Sequence, residues 1–357
     1  MKAILDVNEY TVGWITPLEI EARAALGMLD NKHDGQFKTV PGDDHLYYAG
    51  DLYGHNVIIA TLGGKPYGPG TAAALASHMK AHFPNLWFGL LVGVAAGLPN
   101  LAPKDPAKSR DIRLGDVIVC EPSGTGSGIV YYDNIKATDE GPVLNGRLAE
   151  TAAIVTSAIL MLRTKDEDTF ADGSDLSKYL DELQRNDKKR RFLRPNTESD
   201  KLYKTENADI LEEREPRKEW ERTLVWYGKI GSGGTLGRSA RRRDELRDAY
   251  DIIGLETEAA GIMNTIAVGV VRGVCDYGDA KKNKEWQPYA AATAAAYAKA
   301  VICQINPGVS EKQKGQCSRS HFYNRSSHSL PRYCLGLRHS LGFNYWPGIC
   351  ESLRKRP

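Results

Sequence analysis

Gly254-Leu-Glu-Thr-Glu-Ala-Ala-Gly261 and, shortly after it, Val271-Arg-Gly-Val-Cys-Asp-Tyr277 decide how this chain is read. Each begins in an apolar run and delivers acids where that run stops. Glu256 and Glu258 precede a helix of small residues, and Asp276 ends the run that starts at Gly269. In a parallel α/β sheet the carboxyl ends of neighbouring strands converge on one crevice, where ligands bind. Taken alone, Glu256 and Glu258 read equally well as helix caps, because acids favour helix N-termini. A second strand bringing Asp276 to the same edge favours a site.

Outward from this segment, strand and helix patterns alternate. Tyr10 to Ile15 reads as a first strand and Ile20 to Leu29 as an Ala-rich helix, while Leu46–Leu52 and His55–Leu62 form a hairpin about Tyr53-Gly54. The Gly-rich run Thr61 to Gly70 opens a helix, Thr71 to His82. Leu86 to Val94 is continuously apolar, as in a strand buried on both faces. It ends in Gly93-Val-Ala-Ala-Gly97, small enough for a ligand to approach the backbone. Asp116 to Glu121, Gly128 to Tyr132 and Thr223 to Ile230 read as strands. Arg147 to Leu162, the basic stretch Ser239 to Ala249, and Trp286 to Cys303 read as helices, the last with Pro288 in its first turn. Such alternation predicts an α/β sheet.

Two segments break the pattern. Residues 165–222 are dense in charges of both signs and show no apolar period, which predicts a solvated surface insertion, with a lid as the sharper alternative. Residues 307–357 are rich in Ser, Arg, His and Cys with few acids, and read as a disordered tail without a catalytic role.

With 357 residues, 41% apolar and 26% charged, and a net charge of +2, the chain fits one large globular domain with appendages. Near-neutral charge gives no reason to expect nucleic acid or an anionic membrane as partner. No apolar stretch reaches the roughly 20 residues of a membrane span, and the first residues lack a signal core. Cys120, Cys275, Cys303, Cys317, Cys334 and Cys350 show no CxxC or Cys/His ligand spacing, so neither a metal nor another cofactor is expected. The expectation is a cytoplasmic protein with reduced thiols.

Several chemistries drop out. Gly63 to Gly70 matches neither GxGxxG nor GxxxxGKS/T, so a P-loop does not fit; a tight turn is the plainer reading, with an anion or sugar hydroxyl near Lys65 left open. No GxSxG elbow is present. Cys275 has no histidine after it before the tail, which favours a buried thiol over a nucleophile. Cleavage of an N-glycosidic bond remains. Its oxocarbenium-like transition state is lowered by an acid that protonates the leaving base and a carboxylate that orients or deprotonates water. A further carboxylate can fix the sugar diol. Glu21, Glu258 and Asp276 supply three carboxylates for these roles, and spacing leaves their assignment open.

Taken in order, Val12-Gly-Trp-Ile-Thr-Pro-Leu-Glu-Ile-Glu21, the Gly93–Gly97 turn, Arg113-Leu-Gly-Asp116, Ser232-Gly233, Leu255-Glu-Thr-Glu-Ala259 and Val271-Arg-Gly-Val-Cys-Asp276 resemble the purine/uridine phosphorylase superfamily. The likeness is nearest to its methylthioadenosine/S-adenosylhomocysteine nucleosidase branch and to fungal domains found in NLR-like proteins. It covers residues 9–304 and implies a three-layer α/β/α domain around a mixed, twisted sheet. It also implies that Asp276 protonates purine N7, that Glu258 binds the ribose hydroxyls and that Glu21 positions or deprotonates water. Ile230 and Gly231 would flank the base, with Glu256, Thr257, Val94, Ala95 and Arg272 also at the substrate. Thr257 stands where a methionine is usual, and Cys275 where a serine or threonine often orients the acid.

The partners so implied are a purine nucleoside or nucleotide and water, in a homo-oligomer. Phosphorolytic relatives carry arginines to hold phosphate near the first strand–helix turn and the Gly-rich loop. Here Ile15 to Ile20 has no basic residue and Gly63 to Gly70 only Lys65, which favours hydrolysis; Arg23, Lys65 or Arg272 would serve a phosphorylase. A non-catalytic nucleoside-sensing module of an NLR-like system is the second reading.

Overall fold

The computed structural model describes residues 3–307, apart from 40, 41, 43, 44, 65, 123–125, 140, 219, 220, 236 and 237. They belong to one unit, Met1–Pro307; the tail, residues 308–357, and Lys65 lie outside the described residues.

Strand β1 (Val12–Ile15) is wholly buried and turns through Thr16–Leu18 into α1 (Glu19–Met28). A short β2 (Asn31–Lys32) precedes the antiparallel hairpin β3 (Tyr47–Leu52) and β4 (His55–Ala60), closed at Tyr53 and Gly54, both with positive φ. Helix α2 (Pro69–His82) leads to β5 (Phe88–Gly97), and β6 (Val117–Cys120) and β7 (Ile129–Tyr131) follow. A separate hairpin joins β8 (Ile135–Thr138) to β9 (Gly141–Leu144). Helix α3 (Ala153–Thr164) starts later than the Arg147 expected, because the preceding backbone is engaged elsewhere. The amides of Ala149 and Ala152 donate to the Asn264 side chain and the Ala267 carbonyl. After α4 (Asp175–Asn186) come β10 (Val225–Ser232), α5 (Ala240–Tyr250), β11 (Ile252–Glu256), α6 (Ala259–Ile262), β12 (Gly269–Asp276) and α7 (Gln287–Cys303).

The central sheet is mixed, as expected, with strand order β11-β10-β6-β12-β5-β1-β4-β3-β2 and β7 on β10. It does not stay open. β5 pairs with β1 only as far as Leu91, and its far end at Ala96 and Gly97 pairs antiparallel with Leu255 and Gly254 of β11. That pairing closes β5, β12, β6, β10 and β11 into a barrel. The closure needs small residues: a Cβ on Gly254 would strike the Ile118 side chain, and one on Gly97 would strike Val274.

Helix α7 is buried nearly all round, consistent with its Ala-rich sequence. Its near face lies so close to β12 that a Cβ on Gly273 would overlap the Ala290 backbone. Helices α1, α3 and α4 pack on the rest of it. The last of these corrects the reading of residues 165–222 as a solvated insertion. Leu176, Leu180 and Leu183 of α4 are buried, and their spacing puts them on one helical face. Ser174 caps the helix by accepting from the Ser177 amide.

Candidate active site

A cavity of about 220 Å³ opens where β5, β11 and β12 end and α1 begins, lined by Glu21, Val94, Ala95, Glu256, Thr257, Glu258, Cys275 and Asp276 among others. The three acids that carried the reading therefore meet. Ile230 and Gly231 do not: they sit one strand away on β10, paired with Gly254 and Leu255, and neither lines the cavity. The side chains of Ile252, Leu255 and Tyr132 surround Gly231, so the strand interior claims that place. Arg272 is also off the cavity lining, fully buried beneath the acids.

Glu21 is the third residue of α1 and only 3% exposed. Its Oε2 accepts from the Leu18 amide at 2.6 Å, satisfying one of the free donors at the helix start, and Oε1 accepts from the Val94 amide at 2.8 Å. Gly93 is required here, since a Cβ would fall on the Glu21 carboxylate and the Arg272 guanidinium. Burial raises the Glu21 carboxyl to about 7, against the lowering effect of Arg272 and the two amides.

The neighbouring acids divide into two jobs. Glu256 is a cap: it accepts from the amides of Glu258 and Ala259 at 3.0 and 3.1 Å. Ser232 does likewise for the Ala260 amide at 2.9 Å, which gives the Ser232-Gly233 motif its local purpose. Glu258 accepts from the Thr257 hydroxyl and from Arg272, at 3.0 Å for the latter. Arg272 also pairs with Glu256 and thus holds two carboxylates with one guanidinium. Burial raises the Glu258 carboxyl; Arg272 opposes the shift and Glu256 adds to it.

Asp276 reaches the cavity through a β-bulge. Val274 is in register with Ala95 and Asp276 with Ala96, so Cys275 is the extra residue. Such bulges re-aim side chains beside sites. The Asp276 carboxylate accepts from the Gly278 amide at 2.8 Å and from the Cys275 thiol at 3.2 Å, and pairs with the Lys282 ammonium at 2.9 Å. Cys275 thus does the orienting that a hydroxyl would do, and burial pushes its own pKa well up, keeping it a thiol. Lys282 escaped the sequence reading, as did Pro17, Leu18, Tyr67, Lys284 and Gln287 on the cavity wall. Gly278, with φ of +65°, marks the turn that brings Lys282 back to the acid.

No family model matches the chain. The fold is that of the nucleoside phosphorylase/nucleosidase class, as its structural neighbours show. A 5′-methylthioadenosine/S-adenosylhomocysteine nucleosidase from Neisseria meningitidis, in complex with methylthio-immucillin-A, superposes with a TM-score of 0.54 at 19% identity, over 83% of this chain and 100% of that one. Futalosine hydrolase of Helicobacter pylori gives 0.53 at 14% identity, over 83% and 99%. In sequence the chain is similar to a nucleotide-binding leucine-rich repeat (NLR)-like protein of the fungus Hyaloscypha variabilis, 38% identical over 314 residues. The match takes in 85% of this chain and 30% of that relative, so the chain spans less than a third of its length.

Proposed function

We propose that the chain hydrolyses the N-glycosidic bond of a purine nucleoside or nucleotide, releasing free base and the sugar. One observation carries this reading: three carboxylates share a small cavity, each in a different setting. Glu21, with a pKa raised to about 7, is poised to take a proton from water near neutral pH. Asp276, steadied by Gly278, Cys275 and Lys282, would pass a proton to N7 of the departing base. Glu258, steadied by Thr257 and Arg272, would accept from the ribose 2′- and 3′-hydroxyls and fix the ring for attack. Nucleosidases among the structural neighbours support the same class of reaction.

Hydrolysis is favoured over phosphorolysis because Arg272, a cation able to serve phosphate, is taken up by Glu256 and Glu258. A phosphate oxyanion beside an ionised Glu21 would meet a repulsion of about 4 kcal/mol per unit of charge at 4 Å in a medium of effective dielectric about 20. The similarity to an NLR-like protein, of which the match takes in 30%, supports reading the domain as a module of such a protein. A purely sensing module would need no proton donor or water-activating acid. The test is incubation with adenosine, with and without phosphate, following both products. Adenine and ribose at a phosphate-independent rate are expected. Ribose 1-phosphate as the main product would overturn hydrolysis, and no product from any purine nucleoside or nucleotide would overturn catalysis.

A further inference from the structure

The loop that carries Lys282 has only short turns of its own among its described contacts, Asp279 accepting from the Lys281 amide and Asn283 from the Glu285 amide, both at 2.9 Å. Between Tyr277 and Trp286 it reads Gly-Asp-Ala-Lys-Lys-Asn-Lys-Glu, with no large apolar side chain to bury. Its two ends are buried, Tyr277 at 3% and Trp286 at 0% exposure, and both are held by one stretch of the 165–222 segment. At the first end, Tyr277 donates its hydroxyl hydrogen to Asp200, and Arg214 donates to the same hydroxyl at 2.9 Å. Arg214 is locked in turn, donating to the Asp200 carbonyl at 2.8 Å and pairing with its carboxylate at 3.2 Å. At the other end, the Trp286 indole N–H donates to the Ser199 hydroxyl at 3.0 Å. Midway, Lys281 pairs with Asp209 at 3.3 Å and lies 5.2 Å from the centre of the Tyr203 ring. A fourth tie runs through α5: Arg243 donates to the Tyr277 carbonyl at 3.1 Å and to the Thr205 hydroxyl at 3.0 Å.

Residues 199–214 thus grip the loop at its start, middle and end. None of them lines the cavity, so the segment is no lid over it. Tyr277 is the residue after Asp276, and Lys282 sits between the grip points with its ammonium on the Asp276 carboxylate. Ordering a flexible side chain such as lysine costs conformational entropy, so a loop left loose would not keep that pair aligned.

We infer that Asp200, Arg214 and Tyr277 are positioning residues for the proton donor. Through them the charged insertion clamps the loop that aligns Asp276 and Lys282, while Glu21 and Glu258 are held independently by α1, β5 and Arg272. This rests on the glycosidic reading for its catalytic consequence but not for its mechanical one, and the test separates the two.

Amide hydrogen exchange and steady-state base release are measured on full-length wild type, Arg214→Met, Tyr277→Phe, Asp200→Ala and Asp200→Asn. Arg214→Met should speed exchange across residues 278–286 and leave residues 88–97 unchanged. Its kcat should fall about 10- to 100-fold, the scale of a misplaced catalytic group, with KM within about threefold. Asp200→Asn, which still offers an acceptor to Tyr277 and Arg214, should recover most of the loss caused by Asp200→Ala. Should Arg214→Met fail to fold, Tyr277→Phe removes the same link while keeping the ring, and the same shifts are expected of it. Unchanged exchange in the loop would overturn the clamp. A loosened loop with wild-type kcat would overturn its part in positioning the acid. If wild type itself releases no base, the glycosidic reading fails, and loop exchange alone then upholds or overturns the clamp.

Discussion

Replacing Glu21 by Gln removes a buried charge at nearly constant size, and its effect follows from the site. Burial raises the Glu21 carboxyl from 4.5 to about 7. Between those values the folded protein keeps a proton that the unfolded chain releases, so the contribution of this group to stability falls as pH rises through that window. Glu21 is buried, so solvent screening does not diminish the effect, and the displacement corresponds to about 3 kcal/mol. Urea titrations of both proteins at about pH 4 and about pH 8 measure it as a difference between the pair. Wild type should lose about 3 kcal/mol more than the variant over that interval. In base release the variant should be slower by about 100-fold or more, and the rising limb of the pH–rate profile near neutrality should vanish. Parallel stability curves would refute a buried, proton-retaining carboxyl. Turnover within about threefold of wild type would refute its work on water.

Asp276→Asn should reduce base release by about 100- to 10,000-fold while a cooperative unfolding transition persists; product chromatography and circular dichroism check the two halves. Glu258→Gln should erase the preference for ribosides over 2′-deoxyribosides, a discrimination of about 1.5–3 kcal/mol in kcat/KM; an unaltered preference would mean that Glu258 does not face the diol. Arg272→Met leaves Glu256 and Glu258 without their shared counter-ion and should cost about 3–5 kcal/mol in urea unfolding, so a loss under about 1 kcal/mol would contradict the buried pairing. Leu180→Ala should cost about 2–5 kcal/mol, as for other buried leucines, whereas no loss would return α4 to the status of a solvated appendage.

Much of the architecture was legible because it rests on local signals. Continuous apolar runs gave β5 and β12, the Tyr53-Gly54 turn gave the hairpin, and Ser239 marked the start of α5. Barrel closure was not legible, since it depends on Gly254 meeting Gly97 from far along the chain, and glycines carry no periodicity that names a partner. The helix α4 was hidden for a different reason. Leu176, Leu180 and Leu183 are spaced as one helical face, but the charges between them mask it in a composition count. What makes that face necessary is α7, whose outer side would otherwise be exposed, and this is a tertiary fact.

The same distinction explains which site residues could be read. Glu21, Glu258 and Asp276 announce themselves by standing at strand and helix ends, where topology alone converges them. Arg272 and Glu256 lie in the same two motifs, yet the sequence could not say whether they face a ligand or each other. The fold answers by burying the guanidinium against both carboxylates. That pairing has a chemical consequence. A guanidinium buried against Glu256 and Glu258 and off the cavity wall is not presented to a phosphate nucleophile, while an ionised Glu21 on that wall can take a proton from water. One of the cations that the sequence left open to a phosphorylase is thus, in its folded setting, part of the case for water.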